Sequence, residues 1–257
     1  MRNCVVIIPA LNPPEILEEY VKQLNAEGFE KIIIVDDGSC DESKSLFRYL
    51  EDAYCCDLLV HAVNMGKGRA LKDALNYYLV TYSGSYKGVI TADSDGQHLV
   101  KDVVRMDDEI GLDDSALLLG VRDFGKENVP FKSRAGNRIT RNILKILIGG
   151  NVTDTQTGLR GIPNQIIYEY LTLTGERFEY ETTMLIESIK KDIPIREIRA
   201  VTANVTIPPR YKVTAAMITR MITLFNLVLN ISYPLRHRRI CGPSYCNRQL
   251  PGSAPLC

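Results

Sequence analysis

Val89-Ile90-Thr91-Ala92-Asp93-Ser94-Asp95-Gly96-Gln97-His98 opens as an apolar run and closes on two carboxylates spaced i, i+2, an amide and an imidazole. The run is short and partly β-branched, which favours a buried strand. Residues two apart on a strand point to the same side, so Asp93 and Asp95 can converge on one cation at the strand's carboxyl end. Oxygen ligands of this kind suit Mg²⁺ or Mn²⁺, hard ions that keep some waters and take further oxygens from a substrate's phosphates. An isolated Asp-x-Asp also reads as a solvated acidic turn, so its meaning rests on the elements around it.

Outward from that stretch, strand character recurs at residues 4–9, 31–35, 57–62, 88–92 and 116–121. Between these runs, Ile16, Leu17, Tyr20, Val21 and Leu24 mark one helix, Leu46, Phe47 and Leu50 a second, and Ala70, Leu71, Ala74, Leu75, Tyr78 and Leu79 a third. Strand and helix in alternation predict an α/β fold with a mostly parallel, doubly wound sheet flanked by helices. Ligands of such sheets sit in the crevice beyond the strands' carboxyl ends. Three polar segments fall there: Pro9-Ala10-Leu11-Asn12, Asp36-Asp37-Gly38-Ser39 and Asp93 to His98. No internal repeat or low-complexity tract interrupts the pattern.

Composition narrows the function. With 257 residues, 45% of them hydrophobic, the chain can bury one large domain or one domain with an appendage. Its 31 basic and 31 acidic residues balance, which argues against a nucleic-acid binder working through a global basic field. Met-Arg-Asn-Cys runs straight into the first strand, with no secretory leader expected. The seven cysteines (Cys4, Cys40, Cys55, Cys56, Cys241, Cys246, Cys257) show no Cys-x-x-Cys spacing, so reduced cytosolic thiols are the plain expectation. A Rossmann dinucleotide site needs glycine in the first strand-to-helix turn, and PALNPPE has none. Asn64-Met65-Gly66-Lys67-Gly68-Arg69 holds glycine and lysine, but not in P-loop order. An acidic pair after the second strand can instead accept hydrogen bonds from a base or ribose while Asp93 and Asp95 hold a metal on the same nucleotide's diphosphate. A nucleotide-sugar donor satisfies both.

IIPALN with Glu15 following, IIIVDDGS, HAVNMGKGRALKDAL, TADSDGQH, GVRD, DTQTGLRG at 154–161 and RFEYETTML stand in order along the chain. As an ordered set they resemble the family 2 inverting glycosyltransferases of GT-A (nucleotide-diphospho-sugar transferase) fold. The branch most similar is the polyprenyl-phosphate sugar transferases, of dolichyl-phosphate mannose synthase and bactoprenol glucosyltransferase type. The resemblance implies a catalytic domain over 1–212. It implies donor contacts at Pro9, Asn12, Glu15, Asp36, Asp37, Lys67 and Asp93, with Asp37 and Asp36 on the nucleoside. It also implies a metal, Mg²⁺ or Mn²⁺, on Asp93, Asp95 and Gln97, a phosphate contact at Arg122, and a loop-supporting role for His98. For Asp36 and Asp37 a strand-to-helix turn is the competing reading.

The chemistry expected is attack at the sugar's anomeric carbon with loss of a nucleoside diphosphate, the metal on Asp93 and Asp95 and the Arg122 cation neutralising the leaving group. A phosphate monoester acceptor is largely dianionic at neutral pH and needs no base. A saccharide or protein hydroxyl would need one, and Glu179 or Glu181 are the candidates. These two also read as a solvated first helical turn. Arg134, Arg138 and Arg141 recur at i, i+4, i+7 on one helical face and are expected to bind the acceptor phosphate. Arg210-Tyr211-Lys212 resembles the family's basic loop over the donor diphosphate, although no glycine-serine pair follows.

Residues 213–235 read as an amphipathic helix, too polar on one face to span a bilayer, and Arg236, His237, Arg238 and Arg239 follow it. An apolar face beside a basic cluster suits an anionic membrane surface, and equally a helix packed on the domain or at a homo-oligomer interface. The 236–257 tail, rich in Cys and Pro, reads as poorly ordered. The expected enzyme is a metal-dependent transferase moving a hexose from a UDP- or GDP-sugar to polyprenyl phosphate, peripheral at the inner face of the cell membrane. Transfer to a hydroxyl in cell-surface glycan synthesis, or a non-catalytic nucleotide-sugar binding module, are the alternatives.

Overall fold

The computed structural model describes residues 2–122 and 152–201. The five expected strands form as β1 (Cys4–Ala10), β2 (Ile32–Asp36), β3 (Asp57–Val60), β4 (Gly88–Thr91) and β5 (Leu117–Arg122). The three expected helices form as α1 (Ile16–Ala26), α2 (Asp41–Tyr54) and α3 (Lys67–Thr81). Further along come α4 (Val100–Leu112), β6 (Arg160–Pro163), α5 (Asn164–Leu171), α6 (Glu179–Lys190) and β7 (Ile195–Ala200).

β1 explains why the sheet is covered on both faces. All seven of its residues are buried, and they alternate between two cores. Val5 and Ile7 face Ala70, Leu71, Ala74, Leu75 and Tyr78 of α3, together with apolar residues of α5 and α6. Cys4, Val6 and Ile8 face Leu17, Tyr20, Val21 and Leu24 of α1, with Val103, Met106 and Ile110 of α4. The period of two on the strand and of 3.6 on the helices therefore meet in register. Each fully buried aliphatic side chain contributes about 1.5–3 kcal/mol, so a polar residue at Ile7 or Val6 would break the layer it faces.

The strand order is β3-β2-β1-β4-β6-β5-β7. β1, β2, β3 and β4 are parallel neighbours, as are β5 and β7. β6 runs antiparallel to both β4 and β5. A four-residue Arg-Gly-Ile-Pro strand has little intrinsic preference for extension, and it is the two flanking strands that make it one. The chain winds outward from β1 through β2 to β3, then returns to place β4 on β1's other side. That reversal opens the crevice between the carboxyl ends of β1 and β4.

Candidate active site

The turn after β2 is laced to the turn after β1. Asp36 Oδ1 accepts the Ser39 N–H at 2.8 Å, Ser39 Oγ accepts the Asn12 N–H at 2.9 Å, and Asn12 Oδ1 accepts the Cys40 N–H at 2.8 Å. Gly38 has φ of +74° and lies so close to the next loop that a Cβ there would stand 2.3 Å from the Val63 carbonyl carbon, so only glycine fits. Asp37 is buried, and its carboxylate bolts residues 61–66 in place. Oδ1 accepts the Met65 N–H at 2.8 Å and lies 2.8 Å from His61 Nδ1, while Oδ2 accepts the Gly66 N–H at 2.8 Å. His61 Nε2 stands 3.2 Å from Asp73 Oδ2 on α3. The expected pair thus sits at the crevice and spends most of its accepting capacity on the protein's own loops. Pro9 is buried within β1, opposite Val35, and Glu15 is exposed just before α1.

Asp93, Asp95 and Gln97 fall on the turn after β4. Asp93 Oδ1 accepts from Lys67 Nζ at 2.6 Å, and its Oδ2 lies 3.2 Å from His98 Nε2. Lys67, at the start of α3, also donates to Glu181 Oε1 at 2.8 Å. Burial would lower the Lys67 ammonium, but the two carboxylates outweigh it and hold it above its ordinary value. Burial also works against the Asp93 anion, yet Lys67 and then His98 keep its carboxyl well below the usual range. Asp95 differs. Among the described residues its Oδ1 accepts the Gln97 N–H at 3.0 Å, and burial followed by the Asp93 charge pushes its carboxyl up. A carboxylate raised by a like charge is one that a cation would relieve, and the oxygens of Asp95, Asp93 and Gln97 are hard donors. Among the described residues no three His, Cys, Asp or Glu side chains make a ready metal cage. A divalent ion held there would complete its shell with water and substrate oxygens.

Glu179 and Glu181 begin α6, but neither is a free solvated carboxylate. Glu181 is buried against Lys67, and Glu179 Oε1 accepts the N–H groups of Glu176 and Arg177, both at 3.1 Å. The solvated-turn reading of Glu181 fails because α6 packs its first turn onto α3: a Cβ on Gly68 would lie 2.6 Å from Tyr180 Cβ. Several contributors lie in the quoted segments without a role assigned to them there. Gly158 abuts Asp93, its carbonyl accepts the Thr91 hydroxyl at 2.8 Å, and Arg160 donates to the Glu181 carbonyl at 2.6 Å from full burial. His61, which opens the HAVNMGKG segment, takes its role only from Asp37 and Asp73. The backbone of Arg122 ends β5 opposite Ala200, whereas Arg134, Arg138, Arg141, Arg210, Lys212, the 213–235 helix and the 236–257 tail lie outside the described residues.

Residues 5–171 match the family model described as "Glycosyl transferase family 2". The chain belongs to glycosyl transferase family 2. This glycosyltransferase is 30% identical over 198 residues to an uncharacterised protein of Methanocaldococcus jannaschii, covering 75% of this chain and 78% of that one. It is 28% identical over 213 residues to a UDP-N-acetylglucosamine–dolichyl-phosphate N-acetylglucosaminyltransferase of Methanococcus voltae, covering 75% and 82%. Among solved structures, glucosyl-3-phosphoglycerate synthase from Mycobacterium tuberculosis superposes with a TM-score of 0.65 at 18% identity, over 88% of this chain and 79% of that one. Mannosyl-3-phosphoglycerate synthase from Rubrobacter xylanophilus gives 0.65 at 12% identity, over 95% and 79%. The glycosyltransferase has the GT-A fold, a mixed, mostly parallel sheet flanked by helices.

Proposed function

We propose that this glycosyltransferase moves a hexose from a UDP- or GDP-sugar to polyprenyl phosphate, with inversion and with Mg²⁺ or Mn²⁺ bound at Asp95 and Asp93. The observation that carries the acceptor class is the state of both candidate bases: Glu181 is paired with Lys67, and Glu179 has Oε1 on two backbone N–H groups and Oε2 buried away from solvent. A hydroxyl acceptor would need one of them accessible to take its proton, whereas a phosphate monoester arrives ionised. The similarity to a dolichyl-phosphate transferase over most of its length supports the same choice.

The donor lies across the β1–β4 crevice, its nucleoside against the Asn12, Asp36 and Asp37 turns and its diphosphate over the Asp93–Gln97 turn. When bound, the divalent cation supplies neutralisation of the charge growing on the leaving diphosphate. Asp95 anchors that charge, Gln97 adds an amide oxygen, and Arg122 contributes a fixed cation. Arg134, Arg138 and Arg141 bind the acceptor phosphate, and Arg210 with Lys212 binds the donor diphosphate. A phosphate oxygen forms the new bond to the anomeric carbon as the bond to the nucleoside diphosphate breaks and that group leaves with the electron pair. Residues 213–235 and the basic cluster after them keep the enzyme at the inner membrane face.

The test is incubation of the protein with UDP- and GDP-sugars, Mn²⁺ and a short-chain polyprenyl phosphate, followed by organic extraction. A sugar-phosphate lipid is expected, with turnover sensitive to Arg134→Ala and Arg138→Ala and tolerant of Glu179→Gln. A dead Glu179→Gln variant beside active arginine variants would instead assign a hydroxyl acceptor.

A further inference from the structure

Lys67 presents a problem that the donor reading does not resolve. Its ammonium lies 2.6 Å from Asp93 Oδ1, where it cancels one of the two charges that a divalent cation needs from the turn after β4. The same ammonium lies 2.8 Å from Glu181 Oε1, a carboxylate only 3% exposed, brought in from 114 residues away. An acid buried at that depth costs several kcal/mol of desolvation unless it is paired, so Glu181 and Lys67 belong together.

We infer that Glu181 is a positioning residue acting through Lys67: it takes up the ammonium's charge, so that Lys67 can orient Asp93 without neutralising the metal-binding turn. Among these four side chains, Asp93, Asp95 and Glu181 against Lys67 leave two net negative charges, and His98 beside Asp93 is the same in every variant below. Without Glu181 the net falls to one, and Lys67 bears on Asp93 alone. Without both Glu181 and Lys67 it returns to two. The inference rests on the metal-dependent reading proposed above and extends it to α6.

The test reads metal binding, not turnover. Mn²⁺ is titrated into the full-length protein in the presence of UDP, and separately GDP, and free Mn²⁺ is followed by electron paramagnetic resonance. Glu181→Gln should bind Mn²⁺ at least about tenfold more weakly, the minimum for losing a unit charge near a divalent ion in a partly buried site. Lys67→Met with Glu181→Gln should bind Mn²⁺ more tightly than Glu181→Gln alone, because the net charge is restored. Wild-type affinity in folded Glu181→Gln, or a double variant as weak as Glu181→Gln, would overturn the inference while leaving the metal site standing. Wild-type protein that binds no Mn²⁺ with either nucleotide would overturn the metal reading itself. Should Glu181→Gln fail to fold, Glu181→Asp decides, since it keeps the charge on a shorter side chain: Mn²⁺ affinity within about threefold of wild type is expected, and a loss of about tenfold or more refutes the charge argument.

Discussion

Gly158→Ala should cost this glycosyltransferase its activity far more than its stability. A Cβ at Gly158 would stand 2.5 Å from Asp93 Oδ2 and 2.6 Å from Oδ1. That is about 0.9 Å inside ordinary contact, a deep overlap on a steep repulsive wall. The backbone cannot easily retreat, because the Gly158 carbonyl is held by the Thr91 hydroxyl at 2.8 Å and the next residues enter β6. The carboxylate must therefore turn, which stretches its contacts to Lys67 and His98. A charge-assisted hydrogen bond nets about 1.5–3 kcal/mol. Asp93 is a third exposed, so solvent screening reduces the expected loss to about 1 kcal/mol, a few degrees of melting temperature. Displacing a reacting-site group by about 1 Å, in contrast, costs on the order of 100-fold in rate. Initial rates of sugar-phosphate lipid formation, paired with thermal melts by circular dichroism, separate the two effects. Gly84→Ala is the control, since nothing lies within 4 Å of a Cβ there. Transfer by Gly158→Ala within about twofold of wild type would show that the position of Asp93 is not what this close approach protects.

Asp95→Ala, or chelation of divalent metal, should abolish transfer; because burial and the Asp93 charge push the Asp95 carboxyl up, its ionised form strains the fold at neutral pH, and the variant should melt no lower than wild type. Full activity of the variant in metal-free buffer would remove the metal from the mechanism. Asp37→Ala should lower the melting temperature, since the buried N–H of Gly66 loses its acceptor at about 1–3 kcal/mol and the half-buried N–H of Met65 at less, and nucleotide affinity measured by calorimetry should fall with it. An unchanged melt would mean the 61–66 loop does not depend on that carboxylate. Native alkylation at pH 8, read by peptide mass mapping, should label exposed Cys40 and Cys55 and spare Cys4 and Cys56, whose thiols burial pushes up, that of Cys56 to about 12. Equal labelling of Cys56 would contradict the packing of α2 against β3.

The sequence by itself determined the first half of the fold, because there the signal is local. Fully apolar runs such as Val5 to Ile8 have only one stable use, as strands covered on both faces. The Leu17, Tyr20, Val21, Leu24 stripe can bury itself only as a helix lying on them. The same locality placed Asp36, Asp37, Asp93 and Asp95 at strand ends, since a polar residue after a buried run has nowhere else to go. Tertiary structure alone decided what those carboxylates do. Asp37 meets its partners 24 to 29 residues away, and Lys67 reaches Asp93 across 26 residues and Glu181 across 114. No periodicity encodes a contact at that separation. β6 shows the same limit from the side of the fold: Arg160-Gly161-Ile162-Pro163 becomes a strand only because β4 and β5 offer hydrogen bonds on both edges. Glu181, which in sequence reads either as a candidate base or as a solvated helix-opening acid, becomes a buried counter-charge because α6 lands on α3. That landing is settled by packing across the whole sheet and by nothing within reach of residue 181.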